Sequence, residues 1–148
     1  MTLTERLEAD YKTAMKAGER LRIDTLRLIK AGIQRVAIDK RKPGLDDAEV
    51  IHVVAQQAKQ RRETIDSAKQ TNRQDVLAQS TEELAILNAY LPQQLSADAI
   101  AKLIDEAVTA VGLQQGPVMK YVMAKAAGAA DGKLVNQLVG ERLKRVST

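Results

Sequence analysis

Apolar residues recur three and four positions apart along almost the whole chain, the spacing of helices that bury one face. Capping and breaking residues divide this pattern. Thr2-x-x-Glu5 is a capping box that opens a first helix, and Gly18 follows its expected last residue, Ala17. A second helix is predicted over about Glu19–Asp39. At about 100° per residue, Leu21, Thr25, Leu26, Leu28, Ile29, Ile33, Val36 and Ala37 fill one broad arc, and Arg20, Arg27, Lys30 and Arg35 fall opposite. Arg22 alone lies among the apolar positions, where its stem can pack while its head reaches water or a carboxylate.

Pro43-Gly44 marks a turn, and Asp46-x-x-Glu49 caps a long third helix predicted to run to about Thr71. Its apolar positions Ile51, Val54, Ala58, Ile65 and Ala68 repeat in sevens, with Arg61 where a seam residue is expected. A fourth helix is predicted between about Arg73 and Leu91, striped by Leu77, Leu84, Leu87 and Leu91. Ser80-x-x-Glu83 offers a point where it restarts, so one helix and two are both open. Pro92 ends it, because the residue before proline is driven out of the helical region. Three shorter helices follow. One is capped by Ser96 and ends at Gly112, one opens at Gly116-Pro117 and ends before Gly128, and one opens at Asp131. The expected architecture is all-α. Residues 1–91 form a long-helix hairpin or bundle, and residues 92–148 a small three-helix bundle near the minimum size that folds alone.

Composition narrows what such helices can do. The 148 residues contain three Tyr, no Phe, no Trp, no Cys and one His. The core must therefore be aliphatic. Thiolate chemistry, disulfides and Cys-ligated metals are excluded, and a His-cluster metal site is excluded with them. With so few aromatics, a base-stacking platform for single strands is not expected. The polar N-terminal stretch MTLTERLEADY does not read as a signal or transit peptide, and no apolar run approaches a membrane span. A soluble cytoplasmic protein with no membrane partner is expected.

The net charge of +4 is unevenly spread, since residues 12–42 hold ten basic and three acidic side chains. The stripe Arg20, Arg27, Lys30, Arg35 is the strongest physical signal, suited to phosphate contact without base reading. Lys59-Gln60-Arg61-Arg62 is placed to extend it, and Lys120, Lys125 and Lys133 give the C-terminal part a lesser basic set. No catalytic constellation appears. Asp46-Asp47 and Glu82-Glu83 read as acids at helix starts, His52 lacks a nucleophile elbow or a second metal ligand, and Gly128-Ala129-Ala130-Asp131-Gly132-Lys133 lacks the order of a phosphate-binding loop. No catalytic residue, metal or cofactor is expected. The expected partner is tRNA or another structured RNA; a helical adaptor for a protein partner is the alternative. Nothing in the sequence fixes an oligomeric state.

Two motifs carry a family resemblance. Tyr90-Leu91-Pro92-Gln93-Gln94-Leu95-Ser96, followed about 36 residues later by Gly128-x-x-Asp131-Gly132-Lys133, resembles the GatB/YqeY domain family, with Arg27, Lys59–Glu63 and Gly116–Met119 at fitting positions. The resemblance covers essentially the whole chain. It implies similarity to the helical tail of the B subunit of the glutamine-dependent aspartyl/glutamyl-tRNA amidotransferase, a tail thought to hold the tRNA body. It also implies the family's classification under carbon–nitrogen ligase activity with glutamine as amido donor. The residues themselves support no catalytic role: neither amidase machinery nor a nucleotide site is present, so a stand-alone tail-type module is expected. One departure is Ala129-Ala130, where relatives often place a polar or basic residue.

Overall fold

The computed structural model describes residues 1–146, and among these all regular structure is helical. The helices are α1 (Leu3–Ala17), α2 (Arg20–Asp39), α3 (Asp47–Gln70), α4 (Gln74–Asn88), α5 (Ala97–Val111), α6 (Gln115–Ala126) and α7 (Gly132–Val146). They fall into two compact units, Met1–Leu91 and a second that begins at Pro92.

Local chemistry sets the boundaries. Thr2 and Asp46 each accept a backbone hydrogen bond from the third helical residue, and Glu5 and Glu49 reach back to the cap amides. Gly18 adopts the left-handed conformation (φ 68°) that closes α1. At the end of α6 the left-handed residue is Ala127 (φ 45°) rather than the expected Gly128, which follows with φ 88°. α4 runs unbroken through Ser80. Glu82 and Glu83 therefore lie in mid-helix, not at a helix start, and Glu83 is buried.

In the first unit Leu7, Leu26, Ile29, Val50, Val54, Ala58, Leu87 and Tyr90 form the core, and α3 with α4 is its most extensive pairing. Each fully buried Leu or Ile contributes on the order of 2 kcal/mol. α2 and α3 approach closely at Gly32, where a Cβ would stand 2.9 Å from Val53 Cγ1. This contact sets the rotation of α2. Ile29 lies at the centre of the buried face, and Leu28, about 100° round the helix, is 57% exposed rather than part of the apolar arc.

The second unit packs α5, α6 and α7 against one another around Ile100, Ile104, Ala107, Val118, Val122, Val135 and Val139. No helix among the described residues is long and apolar enough to cross a membrane.

Candidate nucleic-acid interface

The basic residues of α2 are not one uniform stripe. Arg20, Arg27 and Arg35 fall within an arc of roughly 80° and all three are exposed. Lys30 lies at the edge facing α1, where its ammonium meets Glu8 at 3.0 Å and stands 4.2 Å from the centre of the Tyr11 ring. Arg27 donates to the Tyr11 hydroxyl at 3.1 Å and lies 3.9 Å from Asp24. That hydrogen bond to the Tyr11 oxygen is the main cause that holds the guanidinium above its ordinary range. Among the described residues no carboxylate pairs with Arg20 or Arg35.

Arg61 does not extend this surface as a solvated cation. Its Nη1 donates to Glu83 at 2.8 Å across the α3–α4 interface, with side-chain exposures of 29% and 9%. Gln79 donates to the other Glu83 oxygen at 2.9 Å, so both carboxylate oxygens are occupied. A buried charge needs such satisfaction to be tolerated. Arg62, next along α3, is half-buried. Arg35 and Arg61 nevertheless line one groove of about 410 Å³, together with Leu28, His52, Gln56 and Gln60. A second cavity of about 750 Å³ lies between α1, the end of α2 and the following loop, lined by Leu7, Ile33, Ala37 and Leu45 with the exposed Ile38. Lys40 and Lys42 at that loop both hydrogen-bond Glu49, at 2.8 and 2.6 Å, and these bonds with the Asp46 amide hold its carboxyl down at about 2.

In the second unit Lys120, Lys125 and Lys133 are exposed. Lys120 and Lys125 stand about 140° apart around α6, so they do not share a stripe. Lys125 lies 5.8 Å from the Tyr121 ring. Lys133 is in the first turn of α7, its amide directed at Asp131 Oδ1 (3.4 Å).

The paired motifs have structural work on both sides of Pro92. Tyr90 is buried, and its hydroxyl donates to Asp10 at 2.5 Å. Burial first, then the Asp10 carboxylate, pushes the phenol up to about 12, against a smaller opposing effect of Arg22. Arg6 covers the ring at 4.7 Å and donates to the Ala89 carbonyl. Beyond Pro92, Gln94 donates to the carbonyls of Pro92 and Gly128, and the Leu95 amide donates to Ala129 at 2.7 Å. The segment after the proline is thereby clasped to the turn between α6 and α7, and Leu95 packs against the second core. Ala129 and Ala130 are both buried, so the departure noted there lies in the packing of that turn.

Sequence patterns missed His52, Gln56 and Gln60 as a group and missed the role of Glu83. For Glu83 a signal existed: it lies about 40° from Leu87 at the edge of the α4 leucine stripe, and Arg61, of opposite charge, takes a seam position of α3.

The profile of the family described as Yqey-like protein matches residues 4–143. Two proteins named altered inheritance of mitochondria protein 41, mitochondrial, are similar to this chain. The one from Lachancea thermotolerans is 31% identical over 87 residues, 59% of this chain and 46% of that protein. The one from Pyrenophora tritici-repentis is 27% identical over 144 residues, 92% of this chain and 78% of that protein. The match thus spans about half the length of the first relative.

Proposed function

The chain belongs to the YqeY-like protein family, and from that premise we propose that it is a helical module that holds tRNA, or another structured RNA, by phosphate contacts and performs no chemistry of its own. Residues 1–91 would be a body built on the long α3–α4 hairpin, and residues 92–148 a three-helix domain of the amidotransferase-tail type. The module serves glutamine-dependent tRNA amidation as an accessory, with the cytoplasm as its proposed compartment.

The observation that carries this reading is the exposed face of α2, where Arg20 and Arg35 have no carboxylate partner among the described residues and Arg27 lies between them. Guanidinium groups held on a rigid helix suit phosphate, which needs charge and hydrogen-bond donors but no base stacking. Lys120, Lys125 and Lys133 provide a second, weaker set of contacts.

Filter binding of a tRNA at two salt concentrations tests the reading. Retention should fall steeply with salt, and Arg20→Gln with Arg35→Gln should weaken it and reduce the slope of log affinity against log salt by about 2. Absence of retention at low salt, or retention indifferent to salt, overturns it. Ammonia release from glutamine and ATP by the isolated chain would overturn the non-catalytic part.

A further inference from the structure

Phosphate binding leaves unexplained the exposed Leu28 of α2, at the lip of the α2–α3 groove. The two walls of that groove are regular. From α2 come Leu28, Ala31 and Arg35, three and then four residues apart; from α3 come His52, Gln56 and Gln60, each four apart. At 1.5 Å per residue each wall spans about 10–12 Å, two helical turns. α3 runs back along α2, since Gln57 donates to the Leu28 carbonyl and Gly32 faces Val53 and Gln57. Arg35 and His52 therefore share one end of the groove, and Arg61 marks the other beside Thr25 and Leu28. Between these cationic ends the α2 wall is aliphatic, formed by Leu28 and Ala31 above a floor that includes Val53, and the α3 wall carries the amides of Gln56 and Gln60. The one acid on the lining, Glu83, already has both oxygens occupied by Arg61 and Gln79.

We propose that this groove docks an acidic amphipathic helix of a partner protein. Its apolar stripe lies on Leu28, Ala31 and Val53. Its carboxylates, about one turn to either side, reach Arg35 at one end and the remaining N–H groups of Arg61 at the other. Charge complementarity selects the occupant, because the lining offers cations and amides and no unsatisfied acid. The aliphatic α2 wall selects protein over RNA: Leu28 is desolvated only by apolar matter, and the one ring of the lining, the His52 imidazole, stands at the Arg35 end rather than along the centre. A helix fits better than an extended strand, because the walls are helices whose backbone groups are already hydrogen-bonded.

The test is a titration of the isotope-labelled full chain with a synthetic helical peptide of roughly three turns, with leucines three and four apart flanked by glutamates. Amide shifts are expected at Leu28, Ala31, Gly32 and Gln56, saturating with peptide. Leu28→Ser and Arg35→Gln should each weaken binding about tenfold or more. Leu28→Ser removes an exposed side chain without changing charge, so it should leave tRNA retention unchanged, which separates this docking from the RNA reading. Four results overturn the proposal: no shifts at about 1 mM peptide, shifts confined to other helices, an equal response to a peptide with lysines for glutamates, or loss of tRNA retention on Leu28→Ser. The last would give the groove to RNA. Concentration-dependent shifts at Leu28 without peptide would give it to a second copy of the chain.

Discussion

In the first unit a carboxylate, Glu83, sits inside the α3–α4 interface and is met by Arg61 and Gln79; in the second, the buried cluster consists of Ile, Val and Ala alone. The same contrast holds more widely. Among the described residues the buried polar side chains, Thr25, Ser80 and Glu83, all belong to the first unit. Tyr90 adds a buried hydroxyl bonded to Asp10. Both units must bury helices without Phe or Trp, but their helices differ. α3, which carries Arg61, has 24 residues and α2 has 20, while α1 and α4 have 15 each and those of the second unit 12 to 15. A long aliphatic seam repeats itself and can slip by a turn. A charge pair placed within it penalises every register but one, because any slip leaves a buried charge unmatched. In the second unit an interhelix pair, Arg142 with Asp105 at 2.9 Å, lies at the exposed edge of α5 and α7, outside the buried cluster, and the short helices are bounded by Ser96, Gly112 and the turn at Gly128.

The sharpest way to break this comparison is a cavity in the second core. Ile104→Ala should cost roughly 2–5 kcal/mol, comparable to all the stability a three-helix bundle of this size holds. Hydrogen exchange should show α5–α7 losing protection while α1–α4 keep theirs; equal loss in both units would mean that they do not differ as described.

A smaller effect is expected at the ion pair. Glu83→Leu leaves Arg61 without its partner and should destabilise the first unit by about 3 kcal/mol in urea unfolding. Combining it with Arg61→Met should restore stability to within about 1 kcal/mol. The double variant should nevertheless broaden the methyl resonances of α3 and α4 if the pair sets register; sharp single resonances would show that it does not.

Smallest is the pH effect at Glu49, which fastens the start of α3 to Lys40 and Lys42. Its folded value of about 2 lies below the ordinary 4.5. The contribution is therefore complete above about pH 4.5 and is lost as pH falls towards 2. A carboxyl-carbon NMR titration should give a Glu49 midpoint near 2, and Lys42→Met should raise it. A midpoint near 4.5 in the unaltered chain would remove this tie.

Much of the fold is legible from local chemistry. Thr2, Asp46 and Ser96 name their helices because a cap needs only neighbours in sequence. What periodicity does not convey is rotation about the helix axis. Leu28 belongs to the apolar arc of α2 by angle, but the close approach at Gly32 turns it outwards. Glu83 looks like a helix-start acid until α4 is seen to pass through Ser80 and to place it opposite Arg61. The candidate site was legible in part: Arg20, Arg27 and Arg35 follow from spacing on one helix. Lys30 is turned towards Glu8, and the glutamines of α3 belong to the groove only through a pairing between helices. Side chains that act across an interface leave their mark in two distant segments, and neither segment is distinctive by itself.

Each of the three tyrosine rings lies beside a cation: Tyr90 under Arg6, Tyr11 beside Lys30 and Arg27, and Tyr121 near Lys125. In optical terms the chain is almost dark. It has no indole to absorb or emit at long wavelength, and its near-ultraviolet signal comes from three phenols split two to one between the units. A single tryptophan placed in either unit would therefore report on that unit alone, against a background set by phenols whose faces the protein's own cations already occupy.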